Sequence, residues 1–367
     1  MTPSPSSSQS SSSPGGAGAL AGFRVLSISF VSDLRGWALG TVRCGTGRCV
    51  ALLSTPDGGR SWQPLTAPTR AAGAVYSTCP AGPPCVQQIR FATSQLGYAY
   101  DPSLLITTDG GEHWQKLGGP YVSSLEAADG TVVRVASDGM GCSGMRYQVD
   151  SAPVGTTAWH TLPGPAIEMI CPPVLYRQGH RVVLVDYGNP AGGVRASAQI
   201  ARSADGGRTW TSGPDSCGGK DGYASGVALA PPDVLVLVCQ HQMSGPSGVF
   251  GRAWDRVSVD GGATFGPDHV VPTRLSATAG VVVRYQLAAA STGRLLVVET
   301  GQRSSSVLLT ETGGRTWSVP LALPAASSVL LVGYQDPLTA RLAQAGTVWT
   351  TTDGGHTWQA DQFSAGS

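Results

Sequence analysis

Thr55-Pro56-Asp57-Gly58-Gly59-Arg60-Ser61-Trp62 is an octet that returns as Thr107-Thr108-Asp109-Gly110-Gly111-Glu112-His113-Trp114 and as Ser203-Ala204-Asp205-Gly206-Gly207-Arg208-Thr209-Trp210. Three more copies follow: Ser258-Val259-Asp260-Gly261-Gly262-Ala263-Thr264-Phe265, Thr310-Glu311-Thr312-Gly313-Gly314-Arg315-Thr316-Trp317 and Thr351-Thr352-Asp353-Gly354-Gly355-His356-Thr357-Trp358. Residue types and spacing describe a tight turn. A hydroxyl at the first place and a carboxylate at the third both bond backbone groups, while the glycine pair accepts positive φ. The closing aromatic starts the returning strand and packs over the turn. Asp57, Asp109, Asp205, Asp260 and Asp353 are therefore expected to be structural, with Thr312 in the acid's place in one copy. Trp62, Trp114, Trp210, Phe265, Trp317 and Trp358 are their aromatic partners.

The gap between Trp114 and Trp210 is about twice the others. Gln148 to Trp159, with Asp150, Gly155 and Trp159, fills it as a worn copy, so the octets mark seven units. Between them lie short strand patterns. Val25 to Val31 alternates, Gly36 to Val42 follows after a turn, Val50 to Ser54 leads into the first octet and Ser61 to Leu65 leaves it. Val234 to Cys239 and Leu295 to Glu299 read as inner strands of later units. No segment of ten or more residues carries a helical period. The fold class is thus all-β, a seven-bladed β-propeller of four-stranded antiparallel blades. Residues 1–22 read as a Ser/Pro/Gly-rich linker and 23–363 as one domain, with blades near 23–66, 67–119, 120–163, 164–213, 214–272, 273–322 and 323–363. The chain opens on an innermost strand and ends on an outermost one, so no blade is expected to be shared as a clasp.

The octet resembles the Asp-box, or BNR, repeat of sialidase-type propellers, S/T-x-D-x-G-x-x-W. The pairing of Gly36-Trp37-Ala38-Leu39-Gly40 with the following Asp57-Gly58-Gly59 looks more like the photosystem II stability and assembly factor-like propellers of bacteria. That resemblance spans roughly residues 23 to 363 and implies scaffolding or partner recognition without chemistry. The sialidase resemblance implies, as the alternative, a glycoside hydrolase with an arginine cluster, a tyrosine nucleophile, a glutamate base and an acidic aspartate. The glutamates are Glu112, Glu126, Glu168, Glu299 and Glu311, and Glu112 and Glu311 lie within octets. No Arg-Ile-Pro segment follows Phe23. Tyr285 and Glu299 can approach each other on neighbouring strands, and Asp186, Asp233 and Asp255 are the acids left for a two-carboxylate site.

Composition narrows the partners. Charged residues make up 13% of the chain and the formal net charge is +1, which leaves no electrostatic footprint for nucleic acid. No apolar run is long enough to cross a bilayer as a helix. The uncharged linker is expected to tether an upstream export signal or anchor, Met1 then not being the true start. The long loops fall on the face opposite the octets, where binding usually sits. Arg43, Arg48, Arg195, Arg252 and Arg256, with Arg70 and Arg274, are expected in or near that face and suit an acidic protein or a glycan. The eight cysteines map to the same loops. Neighbour pairing joins Cys44 with Cys49, Cys79 with Cys85, Cys142 with Cys171 and Cys217 with Cys239, among 105 possible connectivities. Disulfides imply an extracytoplasmic location. Without Cys-x-x-Cys, and with His241 alone near Cys239, no metal is expected. No cofactor is expected either, since Gly139 to Gly144 matches G-x-G-x-x-G without an opening helix. A monomeric binding or assembly module is the leading function, with enzyme activity second to it.

Overall fold

The computed structural model describes residues 22–44, 47–69, 86–139, 145–165, 171–186, 199–214, 217, 222–241, 253–272, 284–301, 304–324 and 330–364. These residues form seven four-stranded sheets, each an antiparallel meander of strands consecutive in sequence, and none is helical. Blade 1 is Arg24–Phe30, Gly36–Cys44, Gly47–Thr55 and Gln63–Leu65, and the other six repeat its order. The seven innermost strands are Arg24–Phe30, Gln88–Phe91, Tyr121–Ala128, Val174–Gln178, Gly222–Ala230, Arg284–Ala289 and Leu330–Tyr334, and they surround a central channel. The protein is a seven-bladed β-propeller.

Second strands carry the cores because a neighbouring blade covers each of their faces. They accordingly read as unbroken apolar runs, such as Val182-Val183-Leu184-Val185 and Leu295-Leu296-Val297-Val298, all fully buried. Val234 to Cys239 and Leu295 to Glu299, read as inner strands, belong to this second rank. Each apolar cluster spans two adjacent blades, so the hydrophobic core is distributed over seven seams. Gly36 and Gly97 open room in two of them. A Cβ at Gly36 would stand 2.4 Å from the Phe30 ring, and one at Gly97 2.5 Å from that of Phe91. Phe91 uses the room to stack on Trp37, with centroids 3.7 Å apart.

In the first octet the Thr55 hydroxyl donates to Asp57 Oδ1 at 2.8 Å and accepts the Gly59 N–H at 2.8 Å. Asp57 takes the Ser61 N–H on Oδ1 and the Ser61 hydroxyl on Oδ2. Gly58 and Gly59 have φ of 81° and 102°. Asp205, Asp260 and Asp353 repeat the pattern with Thr209, Thr264 and Thr357. Asp109 instead meets His113 through its N–H and ring. Thr312 substitutes for the acid, accepting the Thr316 N–H at 2.9 Å with its hydroxyl 2.8 Å from that of Thr316.

The worn copy needs a correction. In blade 1 the first octet glycine donates to the turn between the two inner strands, Gly58 N to Leu34 O at 2.8 Å, and in blade 3 the matching bond is Val154 N to Gly130 O at 2.9 Å. That register puts Ser151 in the hydroxyl place and Pro153, not Asp150, in the acid place. Trp159 arrives one residue late. Asp150 is buried beside Arg134, whose Nε donates to it at 2.9 Å, and the same guanidinium lies over the Trp159 ring at 3.9 Å. An ion pair capped by an aromatic thus replaces the carboxylate turn.

Blades 1 and 7 share no sheet, as the order of strands implies. They join through Val25 N to Ala345 O at 2.8 Å, Trp62 N to Ser364 O at 3.1 Å, and Phe363, whose ring lies 4.8 Å from Phe23 and 4.9 Å from Trp62. Innermost strands of neighbouring blades do not pair either, and serines take some of their free edge groups. Ser29 accepts the Phe91 N–H at 2.9 Å and Ser124 the Leu175 N–H at 3.0 Å.

Two outcomes are expected. Phe363→Ala should cost about 3 kcal/mol in urea unfolding, because it empties a closed aromatic site at the ring's junction. The Thr209 hydroxyl and N–H hold the Asp205 carboxyl down at about 2, so its contribution is complete above the ordinary carboxylate range and lost as pH falls through that value. Asp205→Asn should therefore lower the urea midpoint at neutral pH, with the gap from the parent closing in acid. A gap independent of pH would contradict this.

Candidate functional site

All octets join third to fourth strands and so lie on one face with the turns between first and second strands. The opposite face carries the second-to-third hairpins and the blade-to-blade connections. Most of those connections, with Arg70, Arg195, Arg252, Arg274, Cys79, Cys85 and Cys142, lie outside the described residues. Cys44 and Cys49 form a disulfide across the blade 1 hairpin, with Cα atoms 5.8 Å apart. Cys217 and Cys239 form a buried one at 5.5 Å, and Cys171 is also disulfide-bonded.

Three of the singled-out arginines are described, and they have different surroundings. Arg43 is exposed at the hairpin end. Its cross-strand partner Arg48 folds back, donating to Thr41 Oγ1 and O at 2.7 Å and to Gly22 O at 3.0 Å. Arg256 pairs with Asp268 at 2.8 Å and lies over the octet ring of Phe265, toward the other face.

The central channel has a volume of about 730 Å³. Its charged lining residues are Arg90, Glu126, Arg177 and Arg341, three cations to one carboxylate. Arg90 and Glu126 meet at 2.5 Å across the seam of blades 2 and 3, where the Tyr100 hydroxyl donates to Leu125 O at 3.3 Å. Burial raises the Glu126 carboxyl above its ordinary value, and the Arg90 charge opposes that rise. Arg177 is fixed by Thr131 Oγ1 at 2.6 Å, Thr131 O at 3.0 Å and Gly179 O at 2.9 Å. Held in this way, the cluster can present guanidinium and serine groups to a polar ligand, but among the described residues it offers no second carboxylate for acid–base work. At the channel mouth opposite the octets, the first residues of two adjacent inner strands, Tyr121 and Val174, are exposed.

Tyr285 and Glu299 are brought together as cross-strand partners. Both are buried, Glu299 completely, and Tyr285 packs with Val238, Leu295 and Val297 in the seam of blades 5 and 6. A glycoside cannot reach that carboxylate without opening the seam. Glu299 belongs to a series: Ser137, Asp186, Gln240 and Gln344 are likewise buried at or next to the last residue of a second strand. Ser137 donates to Gly139 O at 2.6 Å and Gln344 to Pro324 O at 3.3 Å, which ties down the stems of the loops. Asp233 pairs with Arg181, and Asp255 is buried in the seam of blades 5 and 6. Asp109, Glu112 and His113 place ligand-type atoms within 4.8 Å of one another, and they are the residues of one exposed octet turn.

Sequence reading also missed a set of clamps. The guanidiniums of Arg35, Arg181, Arg294 and Arg341 lie against Gly110, Gly261, Gly354 and Gly58, each the first glycine of the next blade's octet. Arg294 shows the mode, donating to Pro337 O of blade 7 at 2.9 Å while paired with Glu311 at 2.7 Å. Nothing in the octet announces a partner so distant in sequence.

No protein-family model matches this sequence, and no curated protein shows significant similarity to it. Solved structures do. YCF48 bound to D1 peptide is 16% identical with a TM-score of 0.57, covering 90% of this chain and 94% of that one. YCF48 from Cyanidioschyzon merolae is 15% identical with a TM-score of 0.59, covering 90% and 96%. A prolyl endopeptidase is 11% identical with a TM-score of 0.55, covering 93% of this chain and 50% of its own. At these identities the likeness is one of fold.

Removing either partner of the Arg90–Glu126 pair leaves a charge half-buried in the channel wall. Glu126→Gln and Arg90→Met should each cost about 2 kcal/mol or more, and the double variant less than the sum of the two. Additive losses in urea unfolding would show the pair to be uncoupled.

Proposed function

We propose that this chain is a non-enzymatic, extracytoplasmic binding or assembly module, built on Asp-box (BNR) repeats and acting through the face opposite them. The observation that carries the reading is the unequal use of polar groups on the two faces. On the octet side, hydroxyls, carboxylates and guanidiniums bond within turns and between blades. The other side presents exposed Arg43, a disulfide-closed hairpin, and the exposed Tyr121 and Val174 at the ends of two adjacent inner strands. Aromatic, aliphatic and arginine groups together suit a protein or peptide partner with an acidic component. That a propeller of this fold, YCF48, has been solved with a D1 peptide supports a peptide-binding reading. The remaining pairings, Cys79 with Cys85 and Cys142 with Cys171, would brace the same face and fit an oxidising compartment. A sialidase-like hydrolase is the competing reading. The burial of Glu299 and the single carboxylate among the channel's charged lining residues count against it.

Crosslinking and pull-down from envelope extracts should recover a partner that is lost in Arg43→Glu and Tyr121→Ala, while an octet-face control such as Arg208→Glu retains it. Retention in both loop-face variants would refute the assigned face. Turnover of a fluorogenic sialoside that disappears in Glu299→Gln would replace the binding reading with the hydrolase.

A further inference from the structure

The seam between blades 5 and 6 departs from the others at two facing places. Three residues before the octet, the third strand carries Leu52, Leu104, Ile200, Val307 and Val348 in blades 1, 2, 4, 6 and 7, all apolar and buried, and an exposed Gln148 in blade 3. Blade 5 has Asp255 there, completely buried, and neither of its carboxylate oxygens has a hydrogen-bond partner. Across the seam stands Gly314, so close that a Cβ on it would lie 2.2 Å from Asp255 Oδ1. Gly314 belongs to the octet in which Thr312 replaces the acid. His269, on the adjoining fourth strand His269–Val271, faces Asp255 with Nδ1 at 3.8 Å from Oδ2, and that nitrogen is also buried without a partner.

We propose that Asp255 and His269 form a buried proton-binding site which sets how firmly blade 6 sits on blade 5: the proton-loaded site closes the seam, and its loss to solvent loosens it. The reason is solvation. A carboxylate sealed in an apolar seam without a side-chain donor is strongly disfavoured, whereas the neutral acid is not. Burial pushes the Asp255 carboxyl up to about 7, its own backbone N–H opposing the rise and Asp268 adding to it. The other charged groups facing the pair are accounted for. Arg256, next along the strand, pairs with Asp268. From blade 6, Glu311 is engaged by Arg294 and His356, and Arg315 points to solvent. On blade 5 the Asp260 carboxylate is held by Thr264.

The sign of the linkage is opposite to that of the octet aspartates. Folded protein holds a proton that the unfolded chain releases, so stability is greatest near the ordinary carboxylate range and declines as pH rises toward 7. Asp101, pushed up by burial to about 6, and Glu126, also raised, act in the same direction, so the informative quantity is the difference between variant and parent.

The experiment compares thermal melts of the parent, Asp255→Asn and Asp255→Leu between about pH 5 and about pH 8.5, with the infrared carboxylic-acid band as a direct readout. The variants should melt close to the parent in acid and several degrees above it in alkali. The parent should show a protonated-acid band, missing in Asp255→Asn, whose titration midpoint moves in His269→Gln. A variant that melts below the parent at alkaline pH, or a parent without the band in acid, would overturn the proposal. A midpoint unchanged in His269→Gln would overturn the pairing.

Discussion

One backbone bond recurs in every blade, and the ring depends on it. The N–H at the first glycine place of each octet donates to the turn between the two inner strands, at Leu34, Gln95, Gly130, His180, Asp233, Gly293 and Leu338 in blade order. It pins the outer hairpin of a blade to the inner one on a single face. Because the bond is made by backbone, side chains around it can change. Val154 occupies the donor place in blade 3, Pro153 replaces the acid there and Thr312 replaces it in blade 6, yet the seven bonds all form. The aspartates reinforce a turn that the chain geometry already requires.

Seams are the second level. Each blade is a thin sheet that buries its second strand only when a neighbour lies on either side, so cohesion resides between blades. Several polar contacts at the seams reach forward from one blade to the next. Trp37 of blade 1 donates through its indole to Gly110 O of blade 2 at 2.8 Å, and the Tyr98 hydroxyl of blade 2 accepts the Gly155 N–H of blade 3 at 2.9 Å. Arginines of blades 1, 4, 6 and 7 reach forward to the next octet in the same sense. Much of the polar chemistry on the octet side is thereby committed to assembling the ring.

The features legible in the sequence are those set by neighbours in the chain. Octets gave the turns, their spacing gave seven blades, and alternating patterns gave strands between them. The worn copy was found but misregistered, since Asp150, Gly155 and Trp159 are what the eye matches, whereas the fold aligns Val154 through a backbone bond invisible in the residue types. Arg43 and Arg48 look alike as loop arginines. They are direct cross-strand partners with opposite fates, one exposed and one folded back on Thr41. The clamps and the buried polar residues closing the second strands depend on contacts between blades, which no single segment encodes.

A closed ring distributes load over all its seams, so a departure at one has consequences for the others. Between blades 7 and 1 no loop links the sheets, and that junction is cross-tied by Arg341 lying 3.9 Å over Phe30, by its bond to Asp33 O, and by Phe363 between Phe23 and Trp62. The seam of blades 5 and 6 has the reverse arrangement. Its chain connection is continuous, but Asp255 stands where blades 1, 2, 4, 6 and 7 place an aliphatic side chain, and the facing octet lacks its acid. Chain connectivity tolerates a weaker interface there, because blades 5 and 6 cannot diffuse apart when it loosens. A titratable group placed at that seam can vary the packing of the ring without endangering its closure, whereas the same group at the junction of the chain ends would endanger the whole assembly.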